Sequence, residues 1–174
     1  DYLQEKASIY VQKYPEKTVY DELLLWVFVQ QKKFNSAFRQ ASAMDRRNKT
    51  EGKNLIDLAI ICLSNKNYAV AIKCYDKIIS FGADGYFYLN AKMGSLETNY
   101  KLISETGQYT SEDLNLLINR YLAVLTQFGK SPQTAKSMKQ LSDLYIYYKH
   151  DLDSGVSILE SLVVMPRLQQ KTRG

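Results

Sequence analysis

The sequence has few of the residues that interrupt helices, cross-link the chain or commonly act in catalysis. Its 174 residues include only 3 prolines, 8 glycines, 2 cysteines and 1 histidine. So little proline and glycine argues against long linkers and low-complexity tails. Two cysteines cannot build a disulfide framework. No apolar run approaches the roughly 18 residues needed to cross a bilayer, and no signal peptide is present, so we expect no membrane span.

The single histidine gives little support to catalysis or metal binding. His150 stands between Lys149 and Asp151, where we expect an exposed turn, and no nucleophile is paired with it. One histidine without an HExxH or CxxC motif is a poor basis for a metal site. We therefore expect no catalytic residue, no metal and no cofactor, and hence no enzyme.

Two other patterns resemble chemical motifs but favour structural roles. The stretch Gly82–Gly85 lacks the Lys-Ser/Thr pair that follows in a phosphate-binding P-loop. Glu112 and Asp113 are adjacent, so on a helix their side chains point about 100° apart and do not cooperate as acid and base. Helix capping is the better interpretation, with Ser111 as the N-cap.

The two cysteines are interpreted as packing residues. Cys62 falls on the apolar stripe of a predicted helix, where a free cysteine behaves as a small hydrophobe. Cys74 adjoins the stripe residue Tyr75 and is expected to face outward. A bridge between the two is therefore disfavoured.

Residues 54–85 contain two amphipathic helices joined by a short polar turn. Apolar residues recur at helical spacing on either side of Ser64–Asn67, so the two helices must fold back antiparallel. Small residues stand where the two helix axes would cross. The alternation of large and small residues runs through Leu55, Leu58, Ala59, Cys62, Tyr68, Ala71, Tyr75 and Ile78.

This order resembles the tetratricopeptide (TPR) repeat. Two departures are Leu55 in place of the usual tryptophan and Ala83 where a proline often ends the unit. The resemblance is clear for residues 1–85 and 133–166 and degenerate for 86–132. It implies an all-α fold, a right-handed α-α superhelix built as a solenoid of antiparallel helix hairpins.

A period of about 34 residues, typical of TPR repeats, supports the resemblance. Steps of 34 residues back from the stretch 54–85 reach positions that fit the same repeat register. The first step gives Leu24, Phe28, Phe34, Ala37 and Met44, and the second gives Leu3, Ala7, Tyr10 and Pro15.

The period divides the chain into one predicted domain, residues 1–174. It comprises a half repeat (1–15), repeats at 18–51, 52–85 and 133–166, a degenerate repeat with an insertion (86–132), and the start of a further helix (167–174). The first helices are expected at Tyr2–Tyr14, Val19–Gln31 and Phe34–Asp45, followed by a polar connection over Asp45–Lys53. Because both ends look truncated, we expect a fragment of a larger protein whose neighbouring repeats, or a partner, cover the ends.

The later repeats are predicted from apolar stripes. The inner helix of the degenerate repeat has the stripe Tyr86, Leu89, Met93, Leu96 and Tyr100, and a loop is expected at 104–110. The next helix should end at Phe128. In the last repeat, which has one extra residue at its turn, the inner stripe is Met138, Leu141, Ser142 and Tyr145. Its outer stripe is Leu152, Gly155, Leu159 and Leu162, closed by Pro166.

The resemblance implies a binding surface on the concave face, which the inner helix of each repeat forms. Helical geometry gives that face the residues not used for packing. These are Glu22, Trp26, Val29, Gln30, Lys53, Ile56, Ile60, Leu63, Lys139, Asp143 and Tyr147. Trp26, Ile56 and Ile60 would form an exposed apolar strip, of the kind that marks binding sites. The alternative is that neighbouring repeats or another part of the parent chain cover this strip.

A known TPR subclass grips the C-terminal carboxylate of its partner with lysine and asparagine. At the matching positions this chain has Glu22, Trp26 and Asp57, and the acidic residues would repel a carboxylate. We therefore expect no such clamp. A peptide or helix held through apolar contacts suits this lining better.

Three functional hypotheses follow. The first is a non-catalytic scaffold that binds a protein or peptide partner, and the second is a structural or self-associating segment of a larger protein. The third and weakest is RNA binding. Lys and Arg against Asp and Glu number 10 to 7 in residues 1–54, 6 to 7 in 55–129 and 7 to 4 in 130–174. The positive charge is thus split between the ends, unlike a phosphate-tracking groove. Arg46, Arg47, Lys49 and Lys53 could form a local patch, although a solvated loop is the preferred interpretation.

Overall fold

The described part of the chain is entirely helical. The structure, a computed structural model, describes residues 2–165, in which helices and turns occur but no strand. The helices are α1 (Tyr2–Lys13), α2 (Thr18–Gln30), α3 (Phe34–Asn48), α4 (Lys53–Ser64), α5 (Tyr68–Ile79), α6 (Tyr88–Thr106), α7 (Ser111–Phe128), α8 (Ala135–Asp143), a π-helical segment (Leu144–Lys149) and α9 (Leu152–Val163). Predicted closure at Pro166 and the predicted helix at 167–174 lie outside the described residues.

The helices pack against their neighbours in sequence. From α1 to α5 each helix contacts the next, and α3 also contacts α5. Likewise α7 contacts α8, and α8 contacts α9. This sequential packing of helices confirms the predicted all-α fold class of the helical-repeat type. The chain forms two compact units, unit one (Asp1–Thr98) and unit two (Asn99–Gly174). The finer division into repeats stays a prediction.

In unit one, burial follows the 34-residue spacing. Positions 34 apart are buried in both predicted repeats, as Leu24 with Leu58, Phe34 with Tyr68, Ala37 with Ala71, and Met44 with Ile78. The core cluster brings together side chains of α3, α4, α5 and the start of α6. These apolar positions, which the sequence predicted to pack, are therefore buried in unit one.

Cys74 corrects one prediction. We expected its side chain to face outward, but it is fully buried in the core cluster, as is Cys62. The reason is that α5 contacts both α4 and α3. A second buried stripe, Val70 and Cys74, therefore lies beside the stripe that begins at Ala71. Both thiols are free.

Several predicted boundaries shift. Helix α3 continues to Asn48, so Arg46 and Arg47 lie in its last turn instead of in a connection. Basic residues there complement the partial negative charge of a helix C-terminus. Helix α6 begins at Tyr88 and ends at Thr106, and Tyr86 is exposed outside it. The loop expected at 104–110 is therefore shorter, because helix α6 continues for another turn.

The start of α7 is capped by Thr110, not by Ser111. The Thr110 hydroxyl accepts from the backbone N–H of Asp113 at 3.1 Å, and the Asp113 carboxylate accepts from the Thr110 N–H at 2.9 Å. This reciprocal capping box satisfies two donors that a helix start leaves unpaired. These bonds hold the pKa of Asp113 below its usual range. The expected end at Phe128 is confirmed.

In the last predicted repeat, the extra residue is accommodated by the π-helical segment. Helix α8 widens into Leu144–Lys149, and the exposed His150 ends it in a left-handed conformation with φ 58°. The inner-stripe residues Met138, Leu141 and Ser142 are buried as expected. On α9, Gly155 is buried, but Leu152 and Leu159 are exposed. The predicted outer stripe is wrong at these two positions because only the Gly155 side of α9 packs against α8 and the π-helical segment.

Candidate binding surface

Helix α2 presents one large exposed apolar side chain among polar neighbours. Trp26 is 53% exposed, while Leu24 and Val27 on either side of it are buried. Glu22 and Gln30 are exposed on the same face, one turn before and after Trp26. Val29 is half-buried and packs against the core cluster. Of the four predicted site residues on α2, three are therefore accessible and one is mainly a packing residue.

Helix α4 repeats this arrangement. Ile60, 34 residues after Trp26, is 54% exposed. Ile56 and Leu63 are half-buried and pack against the core cluster. Lys53 is exposed, and its Nζ lies 3.3 Å from the Asp57 carboxylate one turn later. Of the expected strip, Trp26 and Ile60 are thus accessible, whereas Ile56 is largely used for packing.

In unit two, the predicted site residues form a small polar group beside an exposed aromatic ring. The Lys139 ammonium lies 2.8 Å from the Asp143 carboxylate, which also accepts from the Tyr100 hydroxyl at 3.3 Å. Burial, together with the negative charge of Asp143, raises the pKa of Tyr100 to about 12. Tyr100 therefore remains a neutral hydrogen-bond donor at neutral pH. Tyr147, on the π-helical segment, is 68% exposed.

Sequence reasoning did not include Val19. It is exposed at the start of α2 and lies seven residues, about two turns, before Trp26, so it shares that face. The i, i+7 spacing between Val19 and Trp26 could have placed Val19 on this face from the sequence alone. Val19 extends the apolar part of this face toward the N-terminus of α2.

The four cations of residues 46–53, considered above as an alternative local patch, make different contacts. The Arg47 guanidinium forms an ion pair with the buried Asp21, which also accepts from the Gln40 amide at 2.8 Å. Lys53 is paired with Asp57. Arg46 and Lys49 form no ion pair within residues 2–165 and line a pocket between α3 and α5. Two of the four cations therefore serve structural contacts within unit one.

Within residues 2–165, no three histidine, cysteine or carboxylate side chains are placed to hold a metal ion. In the same part of the chain, every helix is too short or too polar to span a bilayer. Burial raises the pKa of the Cys62 thiol to about 11, and burial also raises that of Cys74, so both are poor nucleophiles at neutral pH.

The surface on α2 and α4 can bind through apolar contact and through carboxylate, amide and ammonium groups at its edge. A comparison of the chain with protein-family models and with curated protein sequences found no match.

Proposed function

We propose that this chain is a TPR-type helical repeat that binds a partner protein, and that the partner's peptide or helix lies against the exposed faces of α2 and α4. The observation that carries the proposal is the exposure of Trp26 and Ile60. These large apolar residues occupy equivalent positions 34 residues apart, on helices that bury Leu24 and Val27 of α2 and Leu55, Leu58 and Ala59 of α4. Apolar residues kept exposed at equivalent repeat positions are typical of a binding surface.

The composition of this surface supports an apolar, non-carboxylate contact. Glu22 is exposed one turn before Trp26, and Asp57 is exposed one turn before Ile61, beside Lys53. These carboxylates disfavour a partner that presents a terminal carboxylate. They suit a peptide or amphipathic helix that places an apolar residue on Trp26 and basic or neutral residues around it.

The experiment uses the chain's single tryptophan as both the target and the reporter. Proteins captured on the immobilised wild-type chain are compared with those captured on Trp26→Ala and Ile60→Ala. The matched control is Leu116→Ala, which removes an equally exposed apolar side chain on α7. A candidate partner is then titrated into the wild-type chain while Trp26 emission is recorded.

The proposal predicts that Trp26→Ala and Ile60→Ala each weaken partner binding by at least about tenfold, a cost of about 1.4 kcal/mol. The control should bind as the wild type does, and the emission maximum should move to shorter wavelength as Trp26 leaves water. Full binding by Trp26→Ala would show that the partner uses another surface.

A second candidate function is association of the repeats with one another. On α9, the apolar residues Leu152, Val156 and Leu159 are exposed along one face at helical spacing. A second copy of the chain, or an adjacent helix, would bury this face. Sedimentation velocity over a range of concentrations should then show association, and Val156→Glu should abolish it. A concentration-independent sedimentation coefficient would exclude self-association at this face.

A further inference from the structure

Unit one contains a second candidate site, separate from the α2 and α4 surface. A pocket of about 770 Å³ is lined by residues of α3, α5 and the loops that follow them. None of its lining residues belongs to α2 or α4, so it is independent of the Trp26 surface. The volume lies within the range of sites that bind small ligands. We refer to it as the α3–α5 pocket.

Part of the wall of the α3–α5 pocket is apolar. Phe38 and Ala43 contribute from α3, Ile78 from α5, and Phe81 from the turn after α5. Ile78 is buried in the core, whereas the Phe81 ring is substantially exposed. Water over such a wall is readily displaced by an apolar group. The pocket can therefore accept a large aliphatic or aromatic side chain.

The rest of the wall carries an excess of positive charge. Arg39, Arg46, Lys49 and Lys77 all line the pocket. Arg46 and Lys49 form no ion pair within the described residues, and the Arg39 guanidinium donates to the neutral hydroxyl of Ser36 at 3.0 Å. The Lys77 ammonium lies 5.4 Å from the centre of the Phe81 ring. None of these contacts neutralises a charge.

The acidic residues of the α3–α5 pocket offset only part of this positive charge. The Asp45 carboxylate is buried, and its oxygens accept from the Thr50 hydroxyl, from the backbone and side chain of Asn54 and from the Leu55 N–H. Glu51 is the second carboxylate of the lining. Four cations against two carboxylates leave the lining with a net positive charge, which favours an anionic ligand.

The spacing of the cations favours an extended ligand over a compact one. Arg39 and Arg46 lie seven residues apart on α3, which is two turns or about 10 Å. About three residues of an extended peptide cover that distance. The cations therefore do not converge on a single point, as the donors of a phosphate site would, and the apolar wall lies within the same pocket.

We propose that the α3–α5 pocket binds an acidic peptide segment of a partner protein. The segment would place one large apolar side chain against Phe38 and Phe81. Its Asp or Glu residues, about three positions apart, would pair with Arg39 and Arg46, and a further carboxylate would reach Lys77. Arginine can hold a carboxylate with two parallel hydrogen bonds, so the contact fixes the orientation of the carboxylate in addition to attracting its charge.

The test is a fluorescence-anisotropy titration of the intact chain with labelled nine-residue peptides. One peptide has a phenylalanine between two glutamates that stand three positions apart; in the second the glutamates are glutamines, and in the third the phenylalanine is serine. The first peptide should bind, and each of the others should bind at least about fivefold more weakly. Equal binding of all three, or no binding of the first up to about 1 mM, would overturn the proposal.

Matched variants locate the binding. Arg46→Glu should weaken the first peptide at least about tenfold, and Phe81→Ser should weaken it without any change of charge. Lys73→Glu makes the same charge change on α5, one turn before Lys77, at an exposed residue outside the lining. It should leave affinity within about twofold.

The remaining experiments distinguish binding of the acidic peptide from binding of other anions. An equal loss in Lys73→Glu would show that general electrostatics, not the pocket, holds the peptide. Inorganic phosphate, a single-stranded RNA oligonucleotide and vesicles of phosphatidylserine and phosphatidylcholine are added as competitors. Displacement of the peptide by any of these at lower concentration than by unlabelled peptide would overturn the assignment to an acidic peptide. Circular dichroism confirms that each variant is folded.

Discussion

Two aspartates of unit one are buried, and each accepts hydrogen bonds from a different helix. Asp21 on α2 pairs with Arg47 and Gln40 of α3. Asp45, near the end of α3, accepts from the backbone N–H groups of Asn54 and Leu55, both at 3.0 Å. Those N–H groups belong to the first turn of α4, and N–H groups in a first turn have no acceptor within their own helix. Asp45 is thus the cap of α4, supplied by the preceding helix.

We expect Asp45→Ala to destabilise the protein by about 2–3 kcal/mol, because it removes a helix cap and leaves buried donors unpaired. Urea unfolding followed by circular dichroism measures the change. Asp84→Ala, at an exposed residue, is the matched control and should stay within about 0.5 kcal/mol of the wild type. A loss in Asp45→Ala no larger than in this control would contradict the capping role.

The buried thiols give an expected dependence of stability on alkaline pH. Burial raises the pKa of Cys62 from 9.0 to about 11, and burial and the charges of Cys62 and Asp45 raise that of Cys74 further. The folded chain therefore keeps these protons at a pH where the unfolded chain releases them. Stability is present in full below pH 9 and decreases as the pH rises above it.

Unfolding free energies at pH 8 and pH 10, measured with a reducing agent, test this expectation. Wild type should lose more stability between the two pH values than Cys62→Ala/Cys74→Ala, which lacks both thiols. An identical loss in the two proteins would assign the alkaline sensitivity to other groups, such as the buried Tyr75, whose pKa burial raises to about 12.

At the scale of elements, α5 and α6 approach closely at a glycine. A Cβ on Gly94 of α6 would overlap the ring of Tyr75 on α5. Tyr75 is buried, so its ring has little space into which it could move. The absence of a side chain at Gly94 is therefore what allows this helix contact.

We expect Gly94→Ala to destabilise the protein by about 1–3 kcal/mol through overpacking, although alanine favours a helix by up to about 1 kcal/mol over glycine. Asn90→Ala, one turn earlier on the exposed side of α6, should be neutral or slightly stabilising. Adding Tyr75→Leu to Gly94→Ala should recover part of the loss relative to the sum of the two single changes. Strict additivity would mean that the two side chains do not meet.

The helices with a strict repeat pattern were the easiest to predict. The bounds of α1, α2, α4 and α5 follow from apolar spacing, because one face of each helix packs on its neighbour in sequence. The burial of Cys74 could not be read in this way, since it depends on the contact between α3 and α5, which are not consecutive. The hydrogen bonds of Asp21 were missed for a similar reason, because its partners Gln40 and Arg47 lie 19 and 26 positions away. The partners of Asp45 are nearer in sequence, but they lie in or after the turn between α3 and α4.

The exposure of the residues in the candidate binding surface was predicted only in part. Trp26 and Ile60 are exposed because their helices turn another face to the core, which periodicity reveals. Ile56 and Leu63 lie at the margin of that face, and how far each is covered depends on side chains of other helices. The α3–α5 pocket was not predicted, because its walls come from two predicted repeats and no single stretch of sequence contains its pattern.

At the scale of the whole molecule, the distribution of charge bears on whether the chain binds a protein or a nucleic acid. The net charge is +5, but the excess is divided between the first and last thirds of the sequence. Several cations are already paired, including Arg47 with Asp21, Lys53 with Asp57 and Lys139 with Asp143. The cations of the α3–α5 pocket surround an apolar wall over a short distance, and do not form a long basic track.

We therefore expect any binding of a labelled single-stranded RNA oligonucleotide at about 20 mM salt to be lost by about 150 mM salt, as for a protein that makes scattered phosphate contacts. Anisotropy titrations at the two salt concentrations measure this, with the acidic peptide of the α3–α5 pocket as the comparison ligand. Because the peptide also buries an apolar side chain, its affinity should fall less steeply with salt than that of the RNA. RNA affinity tighter than about 1 µM at 150 mM salt would instead require a continuous basic surface, and would make RNA binding the preferred function.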